Sequence, residues 1–445
     1  MMLWIAVRKI EFSFVADHRS SSIKSPWKAG RSFAACLAGG LLLASTPSSH
    51  AAEDREVYLL NVPNYRWYAG CYGTANGNLF GFWDRNGFPN FYTGPTANGV
   101  APLDDIDSNS GIRSMWASKA GLDGRPENQP GHIDDYWARY LGYTSYSYEN
   151  TDDDPYVKFG REEHAWDCIG DFIGLSQKKW TNMNDECSGN VDAFSFVYWD
   201  ASGERRVNYT PPEDAGQPAV DIQSGLRAWS EYRGYSADVM TQLTSFNPET
   251  PPGKGFTFED VKREIDAGYP VLVFLQPTNE TARTLSNPVP FPDANPHIHA
   301  MLVYGYYDSP DDLDPIEEVR CKNSWGSGDY LRDWNNWAWF GDPNPPFMQY
   351  NVRGVICYRP KPKITDIQRS DGKLVLTWDG PSAQLYDVIA EATTNLHHYV
   401  IEHSPTLDPP AFSEITEPTT ERTATVDECC DGAGYYRVKL LDPTS

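Results

Sequence analysis

The chain has 445 residues, of which 40% are hydrophobic and 13% aromatic. That is enough apolar material for two or three domains with packed cores, and it excludes wholesale disorder. Its 61 acidic against 37 basic residues give a formal charge of −24, which argues against nucleic acid or an anionic membrane surface as partner.

In chain order, Lys28 and Arg31 precede "FAACLAGGLLLAS" (33–45), an apolar run too short to span a bilayer but of the length of a signal-peptide core. Ser49-His50-Ala51 offers a small-residue cleavage site before Ala52, so residues 1–51 are expected to be an export signal with a long leader. Cys36 precedes the leucines instead of following them, so no lipid anchor is expected. Without this segment the chain carries 31 basic and 59 acidic residues, or −28, and no later stretch is long and apolar enough to span a membrane. Next comes "GCYGTANGNLFGFWDRNG" (70–87), where one thiol opens a run punctuated by Gly73, Gly77 and Gly81. At i, i+4, i+8 these three fall on one helical face that neighbours can approach closely, although a loop is the competing reading.

The acidic runs "LDDID" (103–107), "TDDDP" (151–155) and "SPDDLDP" (309–315) read as solvated loops. "DIDSNSG" (105–111) lacks the glycine and the bidentate glutamate of a calcium loop. "HIDDYW" (132–137) and the His164/Cys168 pair fit a satisfied helix face with a disulfide better than a second site. "SGLRAWSEYRGY" (224–235) and "TFEDVKREIDAG" (257–268) read as helices, the second capped by Thr257 with Asp260 and stopped at Gly268. "YPVLVFLQP" (269–277), "HAMLVYGYY" (299–307) and "EEVRCKNSWG" (317–326) follow as strands, so the larger unit is α+β, helical first and sheet second. "WNNWAWF" (334–340) reads as packing before substrate wall.

After the proline-rich link "RPKPK" (359–363) the pattern changes to period two, in "KLVLTW" (373–378), "HYVIEH" (398–403) and "YYRVKLL" (435–441). Short alternating strands separated by turn residues predict a small all-β sandwich over 360–445. It resembles the fibronectin type III-like modules at the C-termini of secreted bacterial enzymes. That resemblance implies attachment or spacing, with cell-surface or matrix contact.

"HAMLVYGY" followed by "VRCKNSWGSGDY" resembles the second half of a papain-fold cysteine peptidase, in which a strand opened by the catalytic His hairpins back to Asn-Ser-Trp-Gly. "VPNYRWYAGCYGTANGNLFGFWDRNGFPN" (62–90) is similar to the nucleophile region of the bacteriocin-processing-peptidase-like branch. The resemblance covers most of 58–359, within a domain expected over 52–359 that carries a large insertion at about 100–220. It implies a papain-like fold, a helical half with a nucleophile helix against an antiparallel sheet half, and a peptide or protein substrate.

Carried over, Cys71 is the nucleophile, His299 the general base and acid, Asn323 the residue that orients the imidazole, and Trp325 a shield over Asn323. A helix N-terminus and an imidazolium both lower a thiol pKa, so a thiolate–imidazolium pair is expected. The family's oxyanion glutamine, six residues before the nucleophile, is Tyr65 here. Asn64, the Tyr65 hydroxyl or Asn61 would have to supply the second donor beside the Cys71 N–H.

Seven cysteines follow the leader, an odd number, so an oxidising compartment leaves at least one thiol over. Cys168 with Cys187 and Cys321 with Cys357 are the expected bridges, while a bond between adjacent Cys429 and Cys430 would be strained. Parity alone does not choose Cys71 as the leftover. His297 with His299 lacks further ligands of zinc-like spacing, so neither metal nor cofactor is expected. The chain is thus expected to be a secreted or periplasmic cysteine peptidase. The alternatives are an inactive papain-fold binding module and a cell-wall peptide amidase using the same triad.

Overall fold

A computed structural model describes residues 53–66, 71–92, 99–104, 168–173, 199–210, 222–277, 299–310, 315–324, 326, 329–335, 337–338, 349–406, 409–427 and 434–441. The leader and its Cys36, the calcium-like loop, "HIDDYW", His164, Cys187, His297, Trp325, Cys429 and Cys430 lie outside these residues.

In order, the chain forms β1 (Arg55–Leu59), α1 (Cys71–Arg85), α2 (Ile169–Ile173), β2 (Arg206–Val207), α3 (Ile222–Tyr232), β3 (Ala237–Leu243), α4 (Phe258–Asp266), β4 (Val271–Pro277) and β5 (His299–Ser309). Then follow β6 (Ile316–Lys322), β7 (Asp329–Asp333), β8 (Trp337–Ala338) and β9 (Gln349–Pro360). The C-terminal strands are β10 (Lys363–Ser370), β11 (Lys373–Asp379), β12 (Gln384–Asp387), β13 (Ala392–Asn395), β14 (Tyr399–Ser404), β15 (Ser413–Glu414), β16 (Thr423–Asp427) and β17 (Tyr435–Leu440). The architecture is mixed and sheet-rich, with antiparallel strand pairing, which agrees with the α+β class.

The centre of the molecule is one large sheet in which β2, β3, β9, β4, β5, β6 and β7 pair in that order. The Val271–Leu275 stretch of β4 is wholly buried, which is why it reads as an unbroken apolar run. Helix α4 lies against the face that carries Arg359, whose guanidinium pairs with the Glu264 carboxylate at 2.7 Å. Its start is a capping box. The Asp260 N–H donates to Thr257 Oγ1 at 3.2 Å, and the Thr257 N–H donates to Asp260 Oδ2 at 2.8 Å.

Helix α1 packs on the opposite face, and all of it except Arg85 is buried. A helix apolar or small on every side belongs inside a fold, not on its surface. Gly81 shows why small residues recur in it: a Cβ there would lie 2.7 Å from the Tyr65 hydroxyl and 2.9 Å from Pro63 Cγ. Near its C-terminal end, Asp84 accepts from the Tyr92 N–H at 2.9 Å and the Ala101 N–H at 2.8 Å, tying two segments to the helix.

Two three-stranded sheets, β10–β11–β16 and β15–β14–β17, enclose a separate core of Leu374, Leu376, Trp378, Tyr399, Ile401, Val426 and Val438. This is the alternation expected for the tail. The chain does not change over cleanly at residue 360, however. Hairpin β12–β13 belongs to the large sheet, since Val57 of β1 faces Asp387 on one side and Tyr306 on the other. The proline-rich link is also held down: the Lys361 N–H donates to the Ser236 carbonyl, and Lys363 Nζ donates to the Gly234 carbonyl at 2.7 Å. At the end of α1, the Gly380 N–H donates to the Gly87 carbonyl and the Ser382 N–H to the Asn86 carbonyl. His397 fills the joint, accepting from the Ala383 N–H through Nδ1 at 3.2 Å with its ring against Tyr269 and Gly268.

The expected disulfide between Cys321 and Cys357 is corrected. Both are buried and neither is disulfide-bonded, while Cys187, the expected partner of Cys168, lies outside the described residues. The reason is register. Cys321 faces Val303, Val303 faces Val271, and Val271 faces Cys357, which puts the two sulfurs on one rung but three strand spacings apart. At about 4.8 Å per spacing that is roughly 14 Å, twice the Cα separation a disulfide tolerates.

Candidate active site

Cys71 is the first residue of α1 and 1% exposed. The next residue, Tyr72, stacks on Phe274 of β4 with ring centroids 5.8 Å apart. Phe274 lies directly opposite Ala300, and the residue before Ala300 is His299, which opens β5. Two local features of the sequence thus meet in space: a helix that starts at the thiol, and a strand that starts at the imidazole. The structure brings Cys71, His299 and Asn323 to the same end of the sheet.

The turn after β6 clasps the start of β5. His299 Nε2 lies 2.8 Å from the main-chain carbonyl oxygen of Asn323, and the Ser324 hydroxyl donates to the Ala300 carbonyl at 3.0 Å. Ser324 takes φ +64° and Gly326 φ +70°, and a Cβ at Gly326 would lie 2.5 Å from Arg66 Cγ. The turn is therefore tight, and its glycine lets the chain leading toward Cys71 pass close by. Ser324 escaped notice in the sequence; its position inside "KNSWG" was the one available signal.

The imidazole contact differs from the expectation in one chemical respect. A carbonyl oxygen only accepts, so Nε2 carries the proton in this contact and the neutral ring keeps its lone pair on Nδ1. In this contact the main-chain carbonyl of Asn323 selects the tautomer. Burial pushes the His299 pKa down to about 4, with the Asn323 hydrogen bond opposing the shift. Burial thus favours the uncharged ring at neutral pH. Cys357, by contrast, is a buried thiol pushed well above its usual pKa by desolvation, with no imidazole assigned to it.

The second oxyanion donor is not where the residues upstream of Cys71 suggested. The Tyr65 hydroxyl donates to the Pro102 carbonyl at 2.7 Å and lies beside Gly81, ten residues along α1 from the thiol. The Tyr65 N–H donates to Asn78 Oδ1 at 2.9 Å, which holds residues 64–65 alongside the third turn of α1, about 10 Å from its start. The Asn64 N–H is bonded to the Leu103 carbonyl, and Asn61 is exposed at φ +62°. Tyr65 is therefore a packing residue for α1, and its hydroxyl is withdrawn from the site.

Trp334 is 1% exposed and packs edge-on to Phe246 at 5.7 Å, which supports the packing reading of that tryptophan. Among the described residues no group of three His, Cys, Asp or Glu side chains is arranged to hold a metal ion. Among them, too, no helix is long and apolar enough to cross a membrane. No family model, curated protein or solved structure matches this chain.

Proposed function

We propose that the chain is a papain-like, exported cysteine peptidase that cleaves peptide bonds through an acyl-enzyme on Cys71. The observation that carries this reading is the convergence of a helix-opening cysteine and a strand-opening neutral histidine at one end of the sheet, with the Asn323 turn fixing the ring's tautomer. The two side chains would meet around the end of β5, since strict alternation turns His299 away from the face that carries Ala300.

In this mechanism His299 Nδ1 takes the thiol proton as the sulfur bonds to the substrate's carbonyl carbon, and the C=O electron pair moves to oxygen. Collapse of that intermediate breaks the C–N bond, and the imidazolium returns the proton to the departing amine. Water, deprotonated by the same ring, then releases the acid and restores the thiol. The Cys71 N–H lies in the first turn of the helix, where main-chain donors point out of the helix start, and would hold the oxyanion. The C-terminal sandwich contributes no catalytic group and serves as a rigid extension for surface or matrix contact.

A second reading, an inactive binding module of the same fold, is favoured by the burial of Cys71 and the withdrawal of Tyr65. The test offers casein and soluble peptidoglycan peptides to the wild-type protein and to Cys71→Ala. Release from casein that vanishes in the variant is the expected result. Release from peptidoglycan peptides alone makes the protein an amidase with the same residues, and no turnover of either leaves the binding module.

A further inference from the structure

We propose that Gln223 is the missing side-chain donor of this site, the amide that holds the substrate's carbonyl oxygen as sulfur adds to it. The proposal rests on the acyl-transfer reading above. Gln223 is 1% exposed on α3, yet neither its amide nitrogen nor its amide oxygen has a hydrogen-bond partner. A buried amide left unpaired is costly, and native folds keep one where a ligand completes it.

Its place in the fold follows from register. Ser230 is two turns further along α3 on the same helical face, and its hydroxyl lies 2.6 Å from that of Tyr358 on β9. Only four residues separate α3 from β3, so the helix folds back along that strand. Strand β3 is in turn antiparallel to β9, which makes α3 run the same way as β9. Two helical turns back from Ser230, about 11 Å, correspond to three or four residues back from Tyr358, at Gly354–Val355.

Gly354 faces Phe274, the ring on which Tyr72 stacks. A Cβ at Gly354 would lie 2.6 Å from the Trp199 ring, which also stands edge-on to Phe274 at 5.8 Å. Helix α1 keeps the same sense: Phe80 meets both Trp229 and Tyr358, so Cys71 lies toward the end of the layer at which α3 begins. The orphaned amide and the thiol are therefore at one end of the helical layer, where the amide would take the role that the Tyr65 hydroxyl does not fill.

The test separates a step that builds an oxyanion from one that does not. Acylation of Cys71 by p-nitrophenyl acetate passes through a tetrahedral oxyanion, whereas alkylation by iodoacetamide is a direct displacement at carbon. In Gln223→Met, acylation is expected to slow about a hundredfold through kcat with KM little changed, while the alkylation rate and the melting temperature stay at or above wild type. Gln223→Glu, which keeps the length but not the donor, should not rescue acylation. Acylation within twofold of wild type in Gln223→Met would overturn the proposal and leave the amide as the seat of a buried water. A Cys71 that does not alkylate in the wild-type protein would overturn the acyl-transfer reading itself.

Discussion

Two histidines, His299 at the candidate-site end of the sheet and His397 at the joint with the sandwich, are both buried and do different things with their ring nitrogens. Burial holds both neutral, His299 with a pKa near 4 and His397 near 3. At His397, Nδ1 accepts the Ala383 N–H, so the lone pair is used to tie one segment to another. At His299 the contact is made through Nε2 to a carbonyl, which puts the proton on Nε2 and makes Nδ1 the basic nitrogen, the one the proposed mechanism would use. The same side chain ties two segments together in one place and, in the proposed mechanism, serves as a base in the other, and the main-chain atom facing it sets which nitrogen carries the proton.

The widest separation between the two should be in activity. His299→Gln is expected to lower turnover by a thousandfold or so, on the order of 4 kcal/mol of barrier, with little loss of stability. His397→Gln should leave turnover within a few-fold and lower the melting temperature, so equal losses of activity in steady-state assays of the two variants would break the comparison.

Acid should act on both. A histidine whose folded pKa is depressed binds its proton more readily when unfolded, so its stabilisation is complete above pH 6.5 and is lost as pH falls toward the folded value. The fold should therefore weaken from about pH 6.5 down to pH 4 for His299 and to pH 3 for His397, by about 3 and about 5 kcal/mol respectively. Asp84 works in the opposite sense. Burial lifts its pKa to about 6 against the pull of its two main-chain donors, so its stabilisation is present in acid and lost as pH rises through 6. Urea midpoints measured from pH 7.5 to 3.5 should fall in the wild type and fall less in His397→Gln. Parallel profiles would contradict the burial of a neutral ring at the joint.

A smaller effect sharpens the structural half of the comparison. Gly87 adopts φ +111°, and a Cβ there would lie 1.9 Å from the Gly380 carbonyl oxygen. Gly87→Ala should cost about 2 kcal/mol by prising α1 from the start of the sandwich, seen as a lower melting temperature with catalysis by the surviving folded protein unchanged.

Much of this was legible in the sequence where the signal is local. The Thr257/Asp260 cap, the Gly268 stop, the apolar β4 and the alternation of "KLVLTW" each follow from chemistry within a few residues. So does a helix opening at Cys71. What the sequence concealed is who pairs with whom. Periodicity assigns a face to Cys321 and to Cys357 but not the two strands between them, and parity then suggests a bridge that register forbids. Likewise nothing within "QLYD" says that its partner is β1, more than three hundred residues earlier. In the candidate site, Cys71, His299 and Asn323 could be singled out from motif, but the Asn323 carbonyl as tautomer-setter could not, because main-chain atoms leave no mark on residue identity. Gln223 was missed for the complementary reason: one glutamine in an amphipathic helix looks like surface until its burial is known.

The four described cysteines give the most direct test of the central claim, because all are at most 2% exposed and burial alone would silence them equally. The native protein is treated with iodoacetamide at pH 7.5 and the adducts are mapped by mass spectrometry, in the wild type and in His299→Gln. The account predicts alkylation at Cys71 well ahead of Cys168, Cys321 and Cys357, collapsing to their level in the variant. Cys71 reacting no faster than those three, or equally fast without His299, would contradict it.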